Sequence, residues 1–206
     1  MAKCASCGER KGNRFCPGLN VSICSLCCGT KREKEILCVG ACEYLKKGRD
    51  YQLGREIDKK ISSDLRAETA DVFEMDEVAP FVMGLESFFV DQFYDDKGAR
   101  DNDIYGALAK IYAFQKGMIL GLEGESKSEE SIFNKFNEVN RKFSNISAEL
   151  KARAILRIIR SVRSSSNDVL GNRNYLEMIY SQLTGKGKWV DLFQKLESDR
   201  GAKVPH

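Results

Sequence analysis

The chain has 206 residues, 42% of them hydrophobic and 31% charged, with a net charge of +3. That balance excludes an intrinsically disordered chain and leaves room for one ordinary domain plus a small module. No apolar run is long enough for a membrane span and the opening Met-Ala-Lys-Cys has no apolar leader, so a cytoplasmic protein is expected.

The first predicted element is a cysteine-rich module over residues 1–46. All eight cysteines fall between Cys4 and Cys42. Thiols clustered this way without a secretion signal point to metal, because tetrahedral zinc takes four thiolates at about 2.3 Å. Cys4-x2-Cys7 and Cys24-x2-Cys27 have the spacing of a four-cysteine zinc site, and Gly8 suits the turn after the first pair. Cys16, Cys28, Cys38 and Cys42 remain for a second zinc. Cys16 lies between the pairs of the first site, so the two sites interleave in a cross-brace. Adjacent Cys27 and Cys28 are interchangeable at this level. An iron–sulfur cluster, disulfides and a redox thiol compete with zinc; disulfides lack a secretion signal, and an iron–sulfur cluster would need Cys24, Cys27, Cys28 and a distant thiol. The module has few large apolar residues, so bound metal supplies its folding energy.

Two fully thiolate-bound zinc ions are structural, since a catalytic site keeps a position open for water. The sole histidine, His206, is the last residue, which removes Ser–His, Cys–His and HExxH chemistry. A non-enzymatic protein is expected.

Residues 47–206 read as an all-α domain. Tyr44–Asp50 is an exit segment, followed by an amphipathic helix over about 51–66 carrying Leu53, Ile57, Ile61 and Leu65. Asp76 caps a helix with Phe81, Val82, Leu85, Phe88, Phe89 and Phe93, with Pro80 in its first turn. Asp101 or Asp103 caps the next, which carries Ile104, Leu108, Ile111, Tyr112, Ile119 and Leu120. Ser128 opens a third with Ile132, Phe133, Phe136, Val139 and Phe143. Ser147 caps a fourth with Ile155, Leu156, Ile158, Ile159 and Val162. Asn172 or Asn174 precedes a fifth with Leu176, Ile179, Tyr180 and Leu183, and a last helix holds Trp189, Val190, Phe193 and Leu196. Ala70–Phe73 is the one weak β-like stretch.

The order of Cys4, Cys7, Cys16, Cys24, Cys27, Cys38 and Cys42 resembles the B-box zinc modules of the RING-like cross-brace class. It departs from them in having Leu19 where a ligand usually stands, so that Cys28 must fill that place, and in ending on Cys38 and Cys42 rather than histidines. More loosely, Arg14-Phe15-Cys16-Pro17 and Ile23 to Arg32 are similar to stretches of bacterial proteins that join a zinc N-terminus to a helical remainder. The B-box resemblance implies protein–protein recognition rather than catalysis; the bacterial one implies no particular activity.

Charge is uneven along the chain. Residues 1–66 hold 14 Lys/Arg against 8 Asp/Glu, residues 67–147 hold 8 against 16, and residues 148–206 hold 11 against 6. Lys3, Arg10, Lys11, Arg14, Lys31 and Arg32 of the module could contact phosphates, but anionic zinc–thiolate centres also call for nearby cations. Lys151, Arg153, Arg157, Arg160 and Arg163 form a second basic stripe, which an acidic middle or solvent equally explains. Asp95, Asp96, Asp101 and Asp103 lack the oxygen donors of a calcium loop and read as helix caps. Gly117-x3-Gly121 reads as close helix packing, and Phe88, Phe89, Phe93 and Tyr94 as core. The expected function is an adaptor or scaffold that docks another protein. The alternative is an RNA- or DNA-binding accessory factor using Lys3, Arg10, Lys11, Arg14, Lys31 and Arg32 with Arg153, Arg157 and Arg160. Neither a membrane nor a small-molecule substrate is implied.

Overall fold

The computed structural model describes residues 2–67, 77–167 and 170–191, and the chain divides into two compact units, Met1–Glu56 and Ile57–His206. The first unit opens with a short antiparallel hairpin, β1 (Arg14–Cys16) and β2 (Val21–Ile23), in which Phe15 pairs with Ser22. Asn20 takes the left-handed conformation in the turn, which asparagine tolerates better than most residues. The hairpin leaves no mark in the sequence, because three-residue strands are too short to show an alternating pattern. Helix α1 (Ser25–Lys31) follows directly.

Helix α2 runs from Glu43 to Ala67, so Tyr44–Asp50 is helical and not an exit segment. Residues 43–56 contain neither proline nor a β-branched side chain, and Leu45 is buried. Gly48 misleads here, since one glycine inside a helix costs only about 1 kcal/mol. The later part of α2 belongs to the second unit, where Ile57 and Ile61 are buried.

The second unit also contains α3 (Ala79–Phe93), α4 (Asp101–Gln115), α5 (Lys127–Lys142), α6 (Ala148–Ser165) and α7 (Asn174–Thr184). Helix α4 packs against α5, α6 and α7, while α3 packs against α5, α6 and α7. Phe81, Phe89, Leu108, Ile111, Phe136, Ile158 and Tyr175 are fully enclosed in the shared core. Each buried aliphatic or aromatic side chain contributes about 1.5–3 kcal/mol of transfer free energy. Phe88 meets Phe89 and Phe93 edge to face, and Tyr94 stacks on Tyr180 at 3.6 Å, so this aromatic group is structural as expected. No helix among the described residues is long and apolar enough to cross a membrane.

Several boundaries differ from the sequence reading. Helix α4 stops at Gln115 rather than continuing through Leu120, because Gly117 takes a positive φ of 69° and the Met118 N–H turns back to the Ala113 carbonyl. Leu120 is fully exposed, and nothing lies within 4 Å of a side chain built at Gly117 or Gly121, so close helix packing does not explain that pair. Ser126, not Ser128, caps α5 by accepting from the Glu129 N–H at 3.2 Å. Ser147 caps α6 as expected, accepting from Leu150 N–H at 3.2 Å. Pro80 sits in the first turn of α3. Ala70–Phe73, the Asp76 cap, Phe193, Leu196 and His206 lie outside the described residues.

Aspartate capping takes an unexpected form at the start of α4. Asp103 accepts from the Arg100 backbone N–H at 2.8 Å and serves that helix. Asp101 is fully buried and turns away to accept from Ser166 Oγ (2.5 Å), Tyr175 N–H (2.9 Å) and Leu176 N–H (3.3 Å). Asp101 therefore caps α7 from a distant point in the chain.

Candidate metal centre

The sulfur atoms of Cys4, Cys7, Cys24 and Cys27 all lie within 4.8 Å of one another. A tetrahedron with zinc–sulfur bonds of about 2.3 Å has edges of about 3.8 Å, so this cluster needs only a small contraction around an ion. The local chain explains the convergence. Gly8 adopts a φ of 68° and its N–H reaches the Cys4 carbonyl at 2.8 Å, folding the first pair into a tight turn. Cys24 is the N-cap of α1, which places Cys27 one turn later with its N–H 3.4 Å from Cys24 Sγ. The Cys24 N–H lies 3.1 Å from Cys4 Sγ and joins the two pairs. Gly12 lets the strands close, since a Cβ there would fall 2.9 Å from the Ser22 carbonyl oxygen.

Electrostatics favour a cation among these sulfurs. Burial works against ionising Cys4, yet the N–H groups of Cys24, Cys7 and Ser6 bring its thiol down to about 6. The Arg10 and Glu9 N–H groups lower Cys7 in the same way. The Ser6 hydroxyl favours ionised Cys27, but the Cys24 sulfur, burial and the sulfurs of Cys7 and Cys4 outweigh it and push Cys27 up to about 12. Four thiols so close cannot all ionise on their own, and a divalent cation removes that conflict.

Cys16, Cys28, Cys38 and Cys42 line one cavity of about 10 Å³, together with Arg14, Arg32, Ile36, Tyr44 and Leu45. That space holds about one small sphere. These four do not reach the mutual proximity of the first set; among the described residues only one group of metal-binding side chains lies so close. The arrangement does separate the adjacent pair: Cys27 belongs to the closed cluster and Cys28 to the second cavity.

The basic residues singled out from sequence fall into distinct environments. Lys3, Arg10 and Lys11 are exposed. Arg14 lies over the Tyr44 ring at 4.7 Å, and Arg32 places Nη2 3.8 Å from Cys28 Sγ. Lys31 pairs with Glu35 at 3.1 Å. On α6, Arg153, Arg157, Arg160 and Arg163 are half-buried; Arg157 donates to Ser161 Oγ at 2.6 Å and Arg160 to the Leu65 carbonyl at 2.9 Å. Lys151 is buried, held by the Asn140 carbonyl and Oδ1 at 3.2 and 2.6 Å, so it leaves the solvent-facing stripe assigned to it.

No family model matches the chain, and no curated protein or solved structure is significantly similar to it. A four-thiol cluster fit for one zinc ion, at the start of a mostly helical chain, is what the structure defines.

Proposed function

We propose that the protein is a non-enzymatic adaptor whose N-terminal unit, held by two structural zinc ions in a B-box-like cross-brace, docks a protein partner. The first ion sits on Cys4, Cys7, Cys24 and Cys27. The second is drawn to Cys16, Cys28, Cys38 and Cys42, which already share one cavity.

The observation that carries the docking role is where apolar surface is exposed. Of the ten exposed large hydrophobic side chains among the described residues, seven belong to the small N-terminal unit: Phe15, Leu19, Val21, Leu26, Leu37, Val39 and Tyr51. Leu37 is 89% exposed. A metal-held module gains nothing for its own core from such residues, and exposed apolar side chains concentrated on one small unit mark an interaction surface. Lys3, Arg10, Lys11 and Lys34 are exposed in the same unit, which suits a partner segment with apolar side chains flanked by acidic ones. The nucleic-acid alternative draws on the same lysines. It is the weaker reading because Arg14, Arg32 and Arg160 each face a partner within the protein.

Affinity purification with and without nuclease tests the proposal, using the parent chain beside Leu37→Glu and Phe15→Glu variants of unchanged zinc content. A protein that survives nuclease and is lost with either variant supports the adaptor. Capture that disappears with nuclease, falls steeply with salt and ignores both variants assigns the surface to nucleic acid instead.

A further inference from the structure

A second site lies in the helical unit and is independent of the zinc reading. Tyr94, Lys97, Arg100, Arg173 and Glu177 line a half-open cleft of about 190 Å³. Three cations and one carboxylate face this space; Lys97 and Arg100 come from the stretch where acidic residues outnumber basic ones two to one, and Arg173 and Glu177 from the basic C-terminal stretch.

None of the three cations forms an ion pair with a carboxylate of the described residues. Arg173 clasps the end of α3 through backbone carbonyls, donating to Tyr94 and Asp96 at 2.5 Å and to Phe93 at 3.3 Å. Arg100 donates to the carbonyls of Lys97 and Ala99 at 2.7 and 2.9 Å. Carbonyl dipoles hold both guanidinium groups in position without cancelling a unit of charge. Lys97 is exposed, and its ammonium makes no hydrogen bond or ion pair with a described residue. Of the acidic groups nearby, Glu177 pairs with Lys188, while Asp96 Oδ1 and Asp103 accept from the backbone N–H groups of Gly98 and Arg100 at 2.8 Å and form no ion pair with the cleft's cations. Asp95 is exposed beside the cleft and is not among its lining residues. The Tyr94 ring, fixed by its stack on Tyr180, supplies a rigid apolar wall.

We propose that this cleft binds a phosphate group, as free phosphate or as the monoester of a small phosphorylated molecule. Two pre-positioned guanidinium groups suit planar, multi-point recognition of phosphate oxygens, and the Lys97 ammonium adds a mobile third charge. The volume admits a phosphate with a small organic group against Tyr94, not a duplex or a folded chain.

The test uses the isotope-labelled full chain, titrated with inorganic phosphate at ionic strength held constant with chloride and followed by NMR at the Gly98 amide and the Arg100 Nε–H. Saturable shifts are expected. Lys97→Ala, which removes no internal contact, weakens binding about fivefold, and Arg100→Gln by about tenfold or more. Lys59→Ala, an exposed lysine outside the cleft, leaves it unchanged. Ribose 5-phosphate binding more tightly than phosphate identifies a phosphorylated organic ligand, and equal binding identifies the free anion; both uphold the site. Linear, unsaturating shifts, indifference to Lys97→Ala, or tighter binding of a short single-stranded oligonucleotide than of phosphate overturns it.

Discussion

Asp101 accepts a hydrogen bond from the backbone N–H of Tyr175 at 2.9 Å, although 74 residues separate the two in the chain. With the Leu176 N–H and Ser166 hydroxyl also on its carboxylate, Asp101 ties the start of α4 to the start of α7 in a fully buried position. Asp101→Ala orphans two buried N–H groups and removes a cap, a loss of about 2–4 kcal/mol. Asp103→Ala removes a single exposed contact and costs about 0.5–1 kcal/mol. Urea denaturation of the two variants measures the difference; equal losses contradict the buried cap.

Metal removal separates the two units. A strong chelator is expected to abolish the NMR dispersion of Ile23 and Ile36, which are buried among cysteines, while the α3–α7 core keeps its helical signal. Structural zinc supplies about 10–16 kcal/mol of apparent folding free energy in small modules, far more than this short apolar list provides. Elemental analysis of the intact protein is expected to give two zinc equivalents, falling to one in Cys38→Ser. One equivalent in the parent removes the second site from the proposal and leaves the first.

Burial holds the Glu86 carboxyl above its ordinary range, against the Tyr175 hydroxyl bond at 2.8 Å and the charge of Arg157. The folded protein keeps this proton to higher pH than the unfolded chain. The stability so gained is full below the ordinary value of 4.5 and is lost as pH rises through the folded value. Glu86→Gln keeps an acceptor for Tyr175 without the charge, so the variant gains on the parent as pH rises from 4 to about 7. Denaturation midpoints across that range check it, and a gap that narrows with rising pH reverses the sign.

Two glycines of the first unit have opposite expectations. Nothing lies within 4 Å of a side chain built at Gly54, inside α2, so Gly54→Ala raises stability by roughly 0.5–1 kcal/mol. At Gly18 a Cβ would clash with the Leu37 backbone carbonyl oxygen, so Gly18→Ala forces backbone apart and costs about 1–3 kcal/mol. Thermal unfolding of the metal-loaded protein reads both.

The sequence made legible what depends on local pattern. The Cys4-x2-Cys7 and Cys24-x2-Cys27 pairs identified their cluster because two-residue gaps in tight turns leave few other geometries. Ser147 and the Ile155–Val162 stripe located α6 because cap and periodicity agree. What stayed hidden depends on distance. Asp101 carries the local signature of an N-cap for α4, and its true partners appear only when α7 is folded against it. The Lys151 burial has the same origin, since Asn140 on α5 reaches it through tertiary packing. Tyr94, Lys97, Arg100 and Arg173 come from two separate stretches, and no spacing rule unites them.

The closed thiol cluster uses no residue beyond Cys27. A ribosome making this chain completes that set of ligands before any helix from α2 onward has been synthesised. The 24-residue span from Cys4 to Cys27 is thus complete while Cys38 and Cys42 are still to be made. An ion held by this cluster would therefore meet its four ligands ahead of the helical unit, and zinc shortage during synthesis would act on this segment before α3–α7 exist.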